Sequence, residues 1–125
     1  MRRETPFSRI LRRAVDRTPG ALGGTFAAGD GETVDYVADG WRRSDWELLT
    51  AHHGVLLGHV RSALRTFHYG DPTFMVVTHR DMHVLMSDVS GGYFALMAVA
   101  PRAALAAAER NLGRAAARLR AEMAG

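Results

Sequence analysis

The chain has 125 residues, of which 47% are hydrophobic and 23% are charged, and it contains no cysteine. This composition is typical of a folded globular protein, and the length suits one domain that spans residues 1–125. The missing cysteines exclude disulfides, cysteine-based zinc sites and thiol nucleophiles. All 16 basic residues are arginine and the formal net charge is +3. Because the arginines are scattered over both ends of the chain with few aromatic residues between them, we expect no nucleic-acid partner.

The sequence carries no segment that predicts a membrane location. No apolar run approaches the length needed to cross a bilayer. Arg2 and Arg3 are not followed by the apolar stretch of an export signal. We therefore expect a soluble cytoplasmic protein with no membrane span.

The first elements in chain order are predicted to be a helix and a two-stranded hairpin. Thr5 and Pro6 occupy the preferred N-cap and first helical positions. Apolar residues then recur at three-four spacing until Gly20, which ends the helix. Alternating and small residues predict strands over 21–28 and 33–37, with a glycine-rich turn between them. The glycines of the first strand indicate close packing under a helix.

A long central helix is predicted next, from about Asp45 to His68. Ser44 and Glu47 have the spacing of a capping box, in which the serine hydroxyl and the glutamate carboxylate satisfy each other's backbone amides. Asp45 also lies at the positive end of the helix dipole.

The last third of the chain is predicted to form three strands and a helix. The strands cover 72–79, 82–87 and 93–100, and their short connections require antiparallel neighbours. Pro101 is predicted to open the final helix, whose leucine and alanine stripe should be buried.

The central helix has two apolar sides. The side expected to pack on the sheet carries Trp46, Leu49, His53, Leu56, Leu57, Val60, Leu64 and Phe67. The opposite side, where a monomer would place charges, carries Leu48, Ala51, Val55, Gly58 and Ser62. Gly54 and Gly58 each cost about 1 kcal/mol in a helix interior, so close approach of a second helix is expected to offset that cost. A symmetric homodimer would place this side against itself, and the alternative is that the chain's own loop 38–43 covers it.

The histidines and serines show no pattern of a catalytic or metal site. His52 and His53 point apart on a helix, whereas His79 and His83 could approach each other across a hairpin. The serines lack a nucleophile elbow, and no glycine-rich segment has the residues of a phosphate loop. We therefore expect no metal, no cofactor and no catalytic residue, and function should lie on a surface.

The order of elements resembles the Roadblock/LC7 family, which includes dynein light chains and the bacterial MglB-type regulators of small Ras-like GTPases. The residues that carry the resemblance are Thr18-Pro19-Gly20-Ala21, Asp30-Gly31, Thr78-His79-Arg80-Asp81-Met82 and Asn111-Leu112-Gly113-Arg114, together with the long second helix. The likeness covers nearly the whole chain, although the family has no invariant catalytic signature.

This resemblance implies an α+β fold of order α-β-β-α-β-β-β-α. A five-stranded antiparallel sheet would have the long helix on one face and the terminal helices on the other. It also implies a homodimer that pairs its third strands and sets its long helices side by side. The expected dimer interface comprises Leu48, Ala51, Val55, Gly58, Ser62, Met75 and Val77.

The resemblance further implies a non-enzymatic regulator or scaffold that binds a small Ras-like GTPase through the paired helices. The exposed polar residues expected to contact that partner are His52, His59, Arg61 and Arg65. One alternative is a structural adaptor of a larger complex. Another is a small-ligand sensor, which would need an internal cavity, although Met75, Met86, Phe94 and Met97 are expected to fill the core.

Overall fold

A computed structural model describes residues 4–125, so Arg2 and Arg3, on which the export prediction partly rests, lie outside it. The elements in chain order are α1 (Pro6–Asp16), β1 (Ala21–Ala27), β2 (Thr33–Val37), α2 (Arg43–Thr66), β3 (Phe74–Thr78), β4 (His83–Asp88), β5 (Phe94–Val99) and α3 (Leu105–Ala124). This is the element order predicted from the sequence.

The strands form one antiparallel sheet in the order β2-β1-β5-β4-β3, so β2 and β3 are its edges. Side chains alternate between two cores because successive residues of a strand point to opposite faces. On one face, Phe26, Leu85 and Met97 pack with α1 and α3. On the other, Phe94 and Leu96 pack with Trp46 of α2. The predicted α+β architecture, with the long helix on one face and the terminal helices on the other, is confirmed.

A buried polar network fixes α2 to the centre of the sheet. The indole Nε1–H of Trp46 donates to Thr25 Oγ1 over 2.6 Å, and the hydroxyls of Thr25 and Thr50 are 3.1 Å apart. All three side chains are fully buried, so breaking one of these bonds would strand a polar group in the core. Gly23 lets the indole approach, since a Cβ there would lie 2.7 Å from the Trp46 ring. The packing predicted for the strand glycines is confirmed at this position.

Gly54 serves a contact inside the chain. A Cβ at Gly54 would lie 2.5 Å from the Cα of Gly31, in the turn between β1 and β2. Gly31 has a φ of +88°, and a Cβ on it would meet the backbone of Ala51 at 3.0 Å. The turn therefore lies directly on the backbone of α2, and the expectation that Gly54 awaits a second helix is wrong.

Three other expectations about α2 and α3 are wrong. The N-cap of α2 is Arg42, without a side-chain cap, so Ser44 lies inside the helix, where Glu47 pairs with Arg43 (3.3 Å). The final helix begins at Leu105, since residues 100–103 form a turn in which Ala103 N–H donates to Ala100 O. On the side of α2 expected to face the sheet, Leu56 and Phe67 are instead 42% and 66% exposed.

Candidate functional site

The outer face of α2 is exposed and carries both aliphatic and polar side chains. It comprises Leu48, His52, Val55, His59 and Ser62, which follow one another at three-four spacing along the side away from the sheet. Leu48 and Val55 are each 55% exposed, and a Cβ added to the neighbouring Gly58 would meet no atom within 4 Å. Exposed large aliphatic side chains in a row are typical of an interaction surface.

The chain itself covers only one flank of this face. Ala51 is half-buried, and its backbone lies against Gly31 of the β1–β2 turn. The alternative in which loop 38–43 covers the opposite side of α2 is wrong, because Leu48, Val55, Gly58 and Ser62 are all exposed.

The edge strand β3 adjoins the same surface. Among the described residues β3 pairs with β4 alone, so the backbone groups of its outer edge are open for pairing. Met75 and Val77 point to the α2 side, where they pack partly on the second core and remain half-exposed. Val76 points to the other face and is 39% exposed.

A histidine pair joins α2 to the turn after β3. His53 Nδ1 is 2.7 Å from Leu49 O, which assigns the proton to Nδ1 and leaves Nε2 as an acceptor. His79 Nε2 lies 2.9 Å from that atom and donates to it. The prediction that His79 approaches His83 is wrong, because His83 contacts Thr78 Oγ1 at 3.0 Å and Pro101 O at 2.9 Å.

The pair forms the floor of an open groove of about 380 Å³, which we call the histidine groove. Its lining residues are Asp45, Leu48, Leu49, His52, His53, His79, Asp81 and Met82. His53 is buried, and burial lowers its pKa below 6.5, with the charges of His79 and His52 as smaller contributions in the same direction. Protonation of His53 would place two N–H groups face to face, so the pair is held together in the neutral state of His53.

The predicted arginines are already engaged within the chain. Arg61 donates to Gly92 O over 3.1 Å and lies 3.8 Å from Asp88, with its side chain only 13% exposed. Arg65 forms a two-pronged ion pair with Asp71, at 2.6 Å and 3.0 Å, which lowers the pKa of Asp71. Of the four residues predicted to contact a partner, the structure therefore brings His52 and His59 onto the outer face of α2 and ties both arginines to neighbouring loops.

A metal site and a membrane-spanning helix each require a particular arrangement of residues. Across residues 4–125, no group of three or more histidines or carboxylates is arranged to hold a metal ion. In the same part of the chain, none of the three helices combines the length and hydropathy needed to cross a membrane.

No protein-family model matches the sequence, and neither do the curated proteins compared with it. Solved structures match closely in fold. A Roadblock/LC7 domain from Streptomyces avermitilis superposes with a TM-score of 0.85 at 18% identity, over 94% of this chain and 98% of that one.

The chain has the Roadblock/LC7 fold. Myxococcus xanthus MglB superposes with a TM-score of 0.84 at 10% identity, over 98% of both chains. An MglB with a tetrameric arrangement gives 0.82 at 13% identity, over 97% of this chain and 92% of that one.

Within this Roadblock/LC7 fold, sequence reasoning missed the histidine groove. His53 was expected on the buried side of α2, and it is buried. His79 was expected beside His83, and its contact with His53 was not predicted. The contact between His53 and His79 depends on how far β3 extends beneath α2, and the spacing of residues in the sequence does not show how far that is.

Proposed function

We propose that the chain is a non-enzymatic, homodimeric regulator or scaffold that binds a small Ras-like GTPase through its paired central helices. The observation that carries the proposal is the exposed aliphatic row on the outer face of α2. Leu48 and Val55 remain 55% exposed in the single chain. Burial of these side chains against a partner would stabilise the complex by about 25 cal/mol for every Å² of apolar surface removed from water.

Self-association is supported by the continuity of this face with the open edge of β3. Met75 and Val77 lie on the α2 side of the sheet and are only half-buried. A two-fold axis at this edge, perpendicular to the sheet, would pair β3 with its copy and place the two α2 helices on the same face, next to each other. The solved MglB with a tetrameric arrangement, which has a similar fold, supports this proposal.

Binding of a GTPase is supported by the resemblance to MglB-type regulators and by the chemistry of the outer face. Two paired α2 helices would present His52 and His59 of both copies beside an aliphatic strip. Such a mixed surface, apolar at its centre and polar at its rim, is typical of protein interfaces. Arg61 is not expected to reach a partner, since its side chain holds the turn at Gly92.

The binding experiment titrates small Ras-like GTPases, loaded with GDP or a non-hydrolysable GTP analogue, against the wild-type protein in a calorimeter. We expect one nucleotide state to bind more tightly. The double variant His52→Ala/His59→Ala should weaken that binding at least about tenfold, while a control double change on α3, Glu109→Ala/Glu122→Ala, should not. Equal affinity of both variants for the GTPase would mean that the outer face of α2 does not contact it.

A structural adaptor subunit remains the second candidate, and the same surface supports it. The titration separates the two, because an adaptor would dimerise without responding to a GTPase or its nucleotide. For the sensor alternative, Met86, Phe94 and Met97 are buried in the core as predicted, whereas Met75 is only half-buried.

A further inference from the structure

The two terminal helices bring four arginines together around one small groove, which we call the arginine groove. Arg13 and Arg17 come from the end of α1, and Arg114 and Arg118 from the middle of α3. The floor of the groove is apolar, with Ile10, Ala14 and Ala115 among its lining residues. The sequence places these arginines about a hundred positions apart, so they look scattered until the chain folds.

The helices are held in this arrangement by a contact at the end of the groove. Asn111 Nδ2 donates to Arg17 O over 3.1 Å and to Thr18 Oγ1 over 2.9 Å. Thr18 is buried and donates in turn to Ala14 O. These hydrogen bonds hold the backbone of the end of α1 against α3, although the side chains of the four arginines are exposed.

The positive charge of the groove is not neutralised within the described chain. Other arginines have carboxylate partners: Arg12 binds Asp39 at 2.7 Å, and Arg65 binds Asp71. Across residues 4–125, none of the four groove arginines forms an ion pair with a carboxylate. The pKa of Arg13 is lowered, first by the charge of Arg17 and then by that of Arg118, as expected for crowded like charges.

Helix electrostatics explain only half of the cluster. A cation at the C-terminal end of α1 is favoured by the helix dipole, and Arg13 lies in its last turn. Arg114 and Arg118 gain nothing comparable, since they lie in the interior of α3. Four unneutralised guanidinium groups around one groove oppose folding, and a bound anion would remove that cost.

We propose that the arginine groove binds a phosphate group. The groove is open on one side and offers about 30 Å³, which is room for about two water molecules. One phosphate group of a ligand such as pyrophosphate would occupy this space, and the rest of the ligand would extend into solvent. Guanidinium groups form paired hydrogen bonds with phosphate oxygens, so four of them suit a dianion. Among the described residues, no aromatic side chain lines the groove to stack on bases, which disfavours nucleic acid. This inference is independent of GTPase docking, because the groove lies on the opposite face of the sheet from α2.

The phosphate could be free in solution or belong to a lipid headgroup, and the test separates the two. Inorganic pyrophosphate is titrated against the wild-type protein by calorimetry, and vesicles of phosphatidylcholine with or without phosphatidylglycerol are tested by flotation. Saturable binding of pyrophosphate supports the proposal with a soluble ligand, and binding of only the phosphatidylglycerol vesicles supports it with a headgroup. Binding of a DNA duplex alone, or of none of these probes, would overturn it.

The variant Arg13→Gln/Arg118→Gln should weaken the observed binding at least about tenfold. Arg42→Gln/Arg80→Gln removes the same charge from exposed sites elsewhere, and it should change the affinity less than about twofold. An equal loss of affinity in both variants would mean that only the net charge of the protein matters, and it would overturn the proposed site.

Thermal unfolding without ligand adds an independent readout. Relief of like-charge repulsion should leave the melting temperature of Arg13→Gln/Arg118→Gln equal to or above that of wild type. A lower melting temperature with unchanged pyrophosphate affinity would assign the arginines a packing role instead. The single changes Arg17→Gln and Arg114→Gln should each give a smaller loss of affinity in the same direction.

Discussion

Replacing Gly54 by alanine tests the contact between α2 and the β1–β2 turn. The new Cβ would lie 2.5 Å from Gly31 Cα and 3.0 Å from Gly31 N. Both are backbone atoms, so no side-chain rotation can relieve the clash. Alanine gains about 1 kcal/mol of helix propensity over glycine, whereas overpacking a close contact costs about 1–3 kcal/mol. Because this contact is far shorter than a van der Waals separation, we place the clash at the upper end of that range and expect a net loss of about 1–2 kcal/mol.

Gly113→Ala is the matched control. Gly113 also lies inside a helix, but a Cβ there would meet no atom within 4 Å. This change should therefore stabilise the protein by about 1 kcal/mol. The assay is urea unfolding followed by circular dichroism, at one fixed protein concentration because association contributes to stability. If Gly54→Ala stabilised the protein as much as Gly113→Ala, the assigned contact between α2 and Gly31 would be wrong.

Three further predictions concern the exposed side of α2 and the histidine pair. A side chain at Gly58 has open space in the single chain and would clash only with a second copy, so Gly58→Leu should shift a dimer toward monomers in sedimentation velocity. Gly113→Leu should leave the dimer intact. No shift with Gly58→Leu would mean that helices do not cross at Gly58. Because burial lowers the pKa of His53, its neutral form favours folding, and the unfolding free energy should fall as the pH drops below about 6.5, by at most about 1.4 kcal/mol per pH unit. His53→Gln should flatten this slope between pH 7 and 5 in urea titrations, and an unchanged slope would assign it to other groups. His52→Ala/His59→Ala should leave the dimer intact in sedimentation velocity, and dissociation would place both histidines inside the dimer contact.

The sequence predicted the fold well because its elements are local. The Thr5 cap, for example, depends on neighbours within one turn: Ser8 N–H donates to Thr5 Oγ1 over 3.0 Å. The capping box predicted at Ser44 does not form, because α2 begins at Arg43 and Ser44 therefore lies inside the helix.

The surfaces were harder to predict because they depend on distant pairs. Gly54 faces Gly31, and His53 faces His79, across 23 and 26 positions. A helical wheel shows that such residues share a side of α2, but it does not show which part of the chain returns to that side. The arginine groove needs α1 and α3 to be neighbours, which only the sheet order establishes.

Cross-linking through a single introduced cysteine tests most directly whether the outer faces of α2 pair. The chain has no cysteine, so any disulfide between copies reports on the introduced residue alone. Val55 lies next to the midpoint of α2, where a two-fold axis would bring it close to its own copy. Val55→Cys should form a covalent dimer under mild oxidation at micromolar concentration, whereas Glu109→Cys on α3 should remain monomeric on a denaturing gel. Failure of Val55→Cys to cross-link, or equal cross-linking by both variants, would contradict pairing of the central helices.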